Sequence, residues 1–191
     1  MSSQDESAGP SLNPAAIVES LNRHHVRYVI IGAFAAIAQQ APIPATRDID
    51  ITPETSQENL ARLSQALTDL GARIRTEAAP EGVPFSHDAT SLAAAEVWNL
   101  ICADGEFGIS FHPSGFVGGY AQLAVNARHL RVGEVEVVVA DLADVIRSRS
   151  QQAARKTCGC FRCCTGAYLP GRPSAKRNRG KQLDARLEPP S

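Results

Sequence analysis

The stretch Val26-Arg27-Tyr28-Val29-Ile30-Ile31-Gly32, carried through an alanine-rich segment to Thr46-Arg47-Asp48-Ile49-Asp50-Ile51-Thr52, decides how this chain folds. The first run is β-branched and nearly all apolar, which predicts a strand buried on both faces. Gly32 ends it. Ala33 to Gln40 predicts a helix, because alanine loses least on becoming helical, and Pro42-Ile43-Pro44 stops it. The second run alternates polar and apolar residues, as a half-buried strand does. Residues i and i+2 of a strand point to one side, so Asp48 and Asp50 present both carboxylates to one face while Ile49 enters the core. Two like charges this close repel unless a cation lies between them or water screens them. Magnesium takes oxygen ligands, keeps several waters and is commonly held by one or two carboxylates together with substrate phosphates. Asp48 and Asp50 are therefore candidate metal ligands; the other reading is a solvated pair on an exposed strand. A strand that ends in glycine and turns straight into a helix gathers backbone N–H groups and a positive dipole end at one place. Gly32, with Ala33 after it, is the candidate site for the phosphates of a nucleoside triphosphate.

Upstream, Asn13-Pro14 reads as a cap and first helical residue, with Ile17 and Leu21 on one face of a helix reaching about Arg23. Downstream, Pro53 closes the second strand and Thr55-Ser56-Gln57-Glu58 matches a capping box. Leu60, Leu63, Leu67 and Leu70 then form one helical stripe before Gly71, read as core packing. Arg73 to Thr76 reads as a strand, and Pro80 to Ala95 as loop with a helical turn. Glu96–Cys102 and Phe107–Phe111 read as strands joined across Asp104-Gly105, a hairpin signal. Gly118 to Ala127 reads as a helix, and Leu130–Val132 with Val135–Val139 as a second hairpin around Gly133-Glu134. Asp141 caps a last helix through about Lys156, with Asp144 in its first turn favouring the dipole.

Composition bounds the rest. The chain has 191 residues, 43% of them hydrophobic, with a mean hydropathy of -0.15. No apolar run approaches the ~20 residues that span a bilayer. Met1 to Pro10 is polar and carries Asp5 and Glu6, unlike a secretory signal, so residues 1–12 are expected to be a disordered leader on a cytoplasmic protein. Residues 1–157 carry 12 Lys and Arg against 18 Asp and Glu, whereas 158–191 carry seven basic and two acidic residues. The body is mildly acidic and offers no broad field for nucleic acid. Four of the five cysteines, Cys158, Cys160, Cys163 and Cys164, fall after the composition changes at Thr157. Four thiols so close invite zinc or copper(I), although the adjacent Cys163-Cys164 suits neither paired-ligand spacing. The expected organisation is a domain over 13–157 and a disordered Cys/Arg/Pro-rich tail over 158–191.

The block from Tyr28-Val29-Ile30-Ile31-Gly32 to Thr46-Arg47-Asp48-Ile49-Asp50 resembles the nucleotidyltransferase superfamily, the DNA polymerase β-like fold, with its strand–Gly–(Gly/Ser)–helix–Asp-x-Asp pattern. Within it, the chain looks most like bacterial nucleotidyltransferase-like proteins of abortive-infection and toxin–antitoxin systems. That likeness runs on through Trp98, Gly105-Glu106, Pro113-Ser114-Gly115 and Val139 to Ser148, covering about residues 14–156. The resemblance implies an α+β fold with a mixed sheet and flanking helices. It also implies Mg2+ and transfer of a nucleotidyl group from a nucleoside triphosphate to a hydroxyl of an RNA, a protein or a small molecule. Carried over residue by residue, Gly32 meets the phosphates while Asp48 and Asp50 hold the metal. The pattern departs in four places. Ala33 stands where Gly or Ser is usual, and Gly108 stands where a third carboxylate sits on a later strand. Arg149 replaces a lysine, and Lys156-Thr157 replaces a Lys-Asp pair. Arg149 and Lys156 keep positive charge for phosphates or are simply solvated helix residues. Glu106, two residues before Gly108, points to the same face in a regular strand and either replaces the missing carboxylate or is solvated there. These departures leave two expectations: an enzyme of weakened activity, or a catalytically degenerate module that binds a cognate toxin or antitoxin protein.

Overall fold

The computed structural model describes residues 10–158, and of 155–158 the backbone alone. Most of the expected leader and of the expected tail, with Cys160, Cys163 and Cys164, lies outside the described residues. Helix α1 (Pro14–Arg23) starts as its sequence dictates: Asn13 Oδ1 accepts from the Ala16 N–H at 3.4 Å and proline occupies the first turn. Strands β1 (Tyr28–Ile31) and β2 (Asp48–Pro53) flank α2 (Gly32–Ala38). All four residues of β1 are buried, and β2 alternates exposed Asp48, buried Ile49, half-buried Asp50 and buried Ile51. Pro53 does not close β2 from outside; it is the strand's last residue, paired with Tyr28.

Helix α3 (Gln57–Asp69) carries the leucine stripe, with Leu60, Leu63 and Leu67 almost wholly buried. Its cap falls one residue later than the sequence predicts. Ser56 has extended backbone and accepts from the Asn59 N–H at 3.3 Å, so no Thr55–Glu58 box forms. The reason is Asn59, which is fully buried. Its amide accepts from the Arg27 N–H at 2.7 Å and donates to the carbonyls of Arg27 and Glu54 at 2.9 and 2.8 Å, fastening α3 to the entry of β1.

Strand β3 (Arg73–Thr76) is followed by β4 (Ala79–Val83), where a loop was expected, and then α4 (Ala89–Ala93). Pro80 and Gly82 disguise β4; an edge strand tolerates both, since one side needs no ladder. Strands β5 (Val97–Cys102) and β6 (Gly105–Ser110) form the expected hairpin, but Gly105 pairs with Cys102, so the turn is Ala103-Asp104. Helix α5 (Gly119–Leu123) is half the expected length, and β7 (Arg128–Val132) and β8 (Val135–Val139) make the second hairpin. Asp141 accepts from the Ala143 N–H and begins α6 (Leu142–Cys158). Among the described residues, no helix is long and apolar enough to cross a membrane.

The eight strands form one sheet in the order β4-β3-β5-β6-β2-β1-β8-β7. It is mixed: β2–β6 and β1–β8 are parallel and the other neighbours antiparallel. The two parallel joints flank the β1–β2 pair, so the glycine turn and both aspartates lie at the middle of the sheet. Helices α1, α3 and α4 pack in sequence, and α2 packs on α6. Each fully buried Ile or Leu contributes on the order of 1.5–3 kcal/mol; Ile30, Ile49 and Ile51 at this centre are 0% exposed.

Candidate nucleotide and metal site

The site is built where β1 ends beside the start of β2. The register Ile31↔Asp50 brings Asp50 against the turn at Gly32. Gly32 has a φ of 80°, a region that L side chains avoid, and a Cβ there would lie 2.8 Å from Asp50 Oδ2. Glycine is required on both counts. On the other flank β6 runs parallel to β2, with Glu106 opposite Asp48 and Gly108 opposite Asp50. A side chain at 108 would collide with Asp50 Oδ1. The Asp50 carboxylate therefore lies between two glycines, one oxygen over each.

That placement sets its chemistry. Burial, then the negative charge of Asp48, push the Asp50 carboxyl up to about 6, against the opposing pull of Arg149. Asp48 is exposed and its Oδ1 accepts from the Thr46 hydroxyl at 2.7 Å. Both carboxylates border a cleft of about 990 Å³ with Gly32, Ala33, Arg149 and Gln152. Arg149 comes from the exposed side of α6 and acts on Asp50 by its charge. The side chain of Lys156 lies outside the described residues.

Glu106 does share the face of Asp48, as strand parity demands. It is engaged: Arg75 Nε from β3 stands 3.0 Å from its Oε1, a charge pairing without aligned hydrogen-bond geometry. Among the described residues, no three His, Cys, Asp or Glu side chains gather so as to hold a metal ion. The donor set is thus two carboxylates, one of them neutralised too easily for comfort beside its like-charged neighbour. It fits a hard, oxygen-seeking cation that retains waters and takes phosphate oxygens, which describes magnesium, and does not fit an all-protein cage.

Sequence reasoning missed three members of this neighbourhood. Asn99 pairs with Gly108 from β5 and is exposed on the same face; its signal was one amide within the apolar run Val97 to Ile101. Thr46 was read as strand, not as the partner of Asp48. His112 Nδ1 lies 2.8 Å from Glu96 Oε2 where both border the far end of the cleft; residues so far apart in sequence gave no spacing to recognise.

A mixed sheet with paired aspartates on one strand, set beside a strand–glycine–helix turn, defines a nucleotidyltransferase fold. A family model described as aminoglycoside-2''-adenylyltransferase matches residues 15–139, and the chain belongs to that family. The match stops before α6, so Arg149 lies beyond it. Among solved structures, a candidate nucleotidyltransferase from Thermotoga maritima is 15% identical, with 75% of this chain and 84% of that chain covered and a TM-score of 0.51. The solution structure of the antibiotic-resistance factor ANT(2'')-Ia is 12% identical over 75% of this chain and 81% of its own, with a TM-score of 0.43. No curated protein matches the chain. The narrower kinship expected with toxin–antitoxin proteins finds no support in these matches.

Proposed function

We propose that the protein transfers a nucleotidyl group from a magnesium-bound nucleoside triphosphate to an acceptor hydroxyl. The carrying observation is the placement of Asp48 and Asp50 on one face of β2 beside the Gly32 turn. In this reading Asp48 and Asp50 hold the ion, which when bound offsets charge on the phosphates and the leaving group. Gly32 and Ala33 leave the backbone bare for the phosphates to approach, and Arg149 at the cleft brings positive charge to them. The family's name supports an adenylyl group as what is moved and an aminoglycoside as acceptor, narrowing the earlier choice among RNA, protein and small molecule. With Asp48 and Asp50 given to the ion, Glu96 is the carboxylate bordering the cleft that is left to meet an amine-rich acceptor. Glu106, next to Asp48 but on the far side of Asp50 from the cleft, takes the proton of an acceptor hydroxyl only once its pairing with Arg75 opens. The test incubates the full chain with each labelled triphosphate, Mg2+ and a panel of aminoglycosides, RNA and cell protein. An acceptor is labelled by the wild type and not by Asp48→Ala/Asp50→Ala; identical blanks from both sink the reading.

The absence of a side chain at Gly108 supports a second reading, a degenerate module that keeps the fold to bind a cognate protein. Capture of the same partner by the wild type and by the double aspartate variant, with no labelled acceptor, is what it expects.

A further inference from the structure

Two-ion phosphoryl-transfer centres set their cations roughly 3.5–4 Å apart between shared carboxylates. Here the sheet offers one half of such a centre and leaves the other without its ligand, because Gly108 stands opposite Asp50. The pairs Asp50↔Gly108 and Asn99↔Gly108 align β2, β6 and β5, while Arg73↔Ile101 and Ile74↔Leu100 bring Arg75 next in line beside Asn99. One row across one face therefore reads Asp50, Gly108, Asn99, Arg75. Beneath it, Asp48, Asp50, Glu106, Gly108 and Arg75 line a small hollow of about 50 Å³ that opens to solvent. A second ion on this side of Asp50 needs oxygen ligands to replace part of its hydration. The ligand that would hold such an ion is missing at Gly108, and Asp50 Oδ1 occupies the space in which it would stand. Glu106, the nearest substitute, has its charge met by Arg75, whose Nε is buried with no aligned hydrogen bond.

We propose that the site binds one divalent ion, on Asp48 and Asp50, and that the guanidinium of Arg75 supplies the fixed positive charge where a second ion would otherwise stand. Resting on the nucleotidyl-transfer reading above, this makes Arg75 a positioning residue that holds Glu106 away from metal. Removing the guanidinium frees both the space and a carboxylate adjacent to Asp48.

The experiment counts bound Mn2+ by electron paramagnetic resonance on the full chain, with a non-hydrolysable ATP analogue present. The wild type and Arg75→Lys hold about one ion per chain, Arg75→Ala holds about two, and Arg75→Ala/Glu106→Gln returns to one. Retention of the first ion by each variant shows that it has folded. Two ions on the wild type, or one on Arg75→Ala, overturn the inference while leaving the aspartate site standing. No Mn2+ on the wild type removes the aspartate site itself, and the inference with it.

Discussion

Toward Gly32 and α6, Asp50 looks into a cleft of about 990 Å³; toward Gly108 and β3 it backs onto a small hollow of about 50 Å³. The two flanks share the same carboxylate and are both floored by glycine, yet the first is roomy and the second is closed only in that Asp50 Oδ1 and the Arg75–Glu106 pair fill it. On the open flank, glycine gives a ligand access to backbone. On the closed flank, glycine gives Asp50 itself somewhere to lie. The same residue type thus opens one side and lets the other shut, and the difference comes from which neighbour approaches the bare Cα.

The hardest blow to the open flank is the loss of both aspartates. Asp48→Ala/Asp50→Ala is expected to lower nucleotidyl transfer by on the order of 10³-fold or more, read as labelled acceptor, with thermal melting showing that the fold survives. Next comes an attempt to rebuild the closed flank. Gly108→Asp puts a carboxylate where the family pattern has one, but it must displace Asp50 Oδ1. Overpacking of this kind costs typically 1–3 kcal/mol, so the variant should unfold at lower denaturant concentration and gain no activity; a gain would show that the flank is not closed.

The burial of Asp50 between its glycines sets a smaller, pH-dependent effect. Its carboxyl is raised from 3.8 to about 6, so the native state keeps a proton that the unfolded chain releases. That advantage is full below pH about 4 and is lost as pH rises through about 6. Two pH units correspond to about 3 kcal/mol, and partial exposure reduces this to about 2. Urea midpoints from pH 4 to 7 should fall for the wild type relative to Asp50→Asn across that window; parallel curves would contradict the shielded placement. Smallest is Arg149→Ala at the cleft rim. An exposed charge contributes on the order of 1 kcal/mol, about fivefold in nucleotide affinity, measurable by calorimetric titration and expected to fade with added salt.

The open flank was legible because its parts are local. β-branched runs, a glycine and an i, i+2 pair of carboxylates specify Tyr28–Ile31, Gly32 and Asp48–Ile51 within a short window, and the burial follows that pattern residue by residue. The closed flank was not. That Glu106 shares a face with Asp48 follows from parity, but its pairing with Arg75 depends on β3 lying two strands away across β5, a register that no spacing encodes. The same holds at smaller scale in α3. Ser and Thr both suit a cap, and the buried Asn59 amide, answering to Arg27 and Glu54, decided between Thr55 and Ser56. Strand β4 was lost for a different reason: Pro80 and Gly82 oppose a strand on propensity, and only an edge position excuses them.

The parallel seam between β1 and β8 has a bearing on how this chain comes off the ribosome. Ile30 meets Val139, its carbonyl accepting from the Ala140 N–H at 2.8 Å, and the Gln39 amide reaches the Ala140 carbonyl at 2.9 Å. Until that late segment has been synthesised, Tyr28-Val29-Ile30-Ile31 keeps one side of its ladder bare: four greasy residues with unsatisfied backbone groups, the profile of a sticky edge. A nascent chain halted before Val135 would carry both aspartates and yet be prone to clumping, and long-range closures of this kind are slow to form.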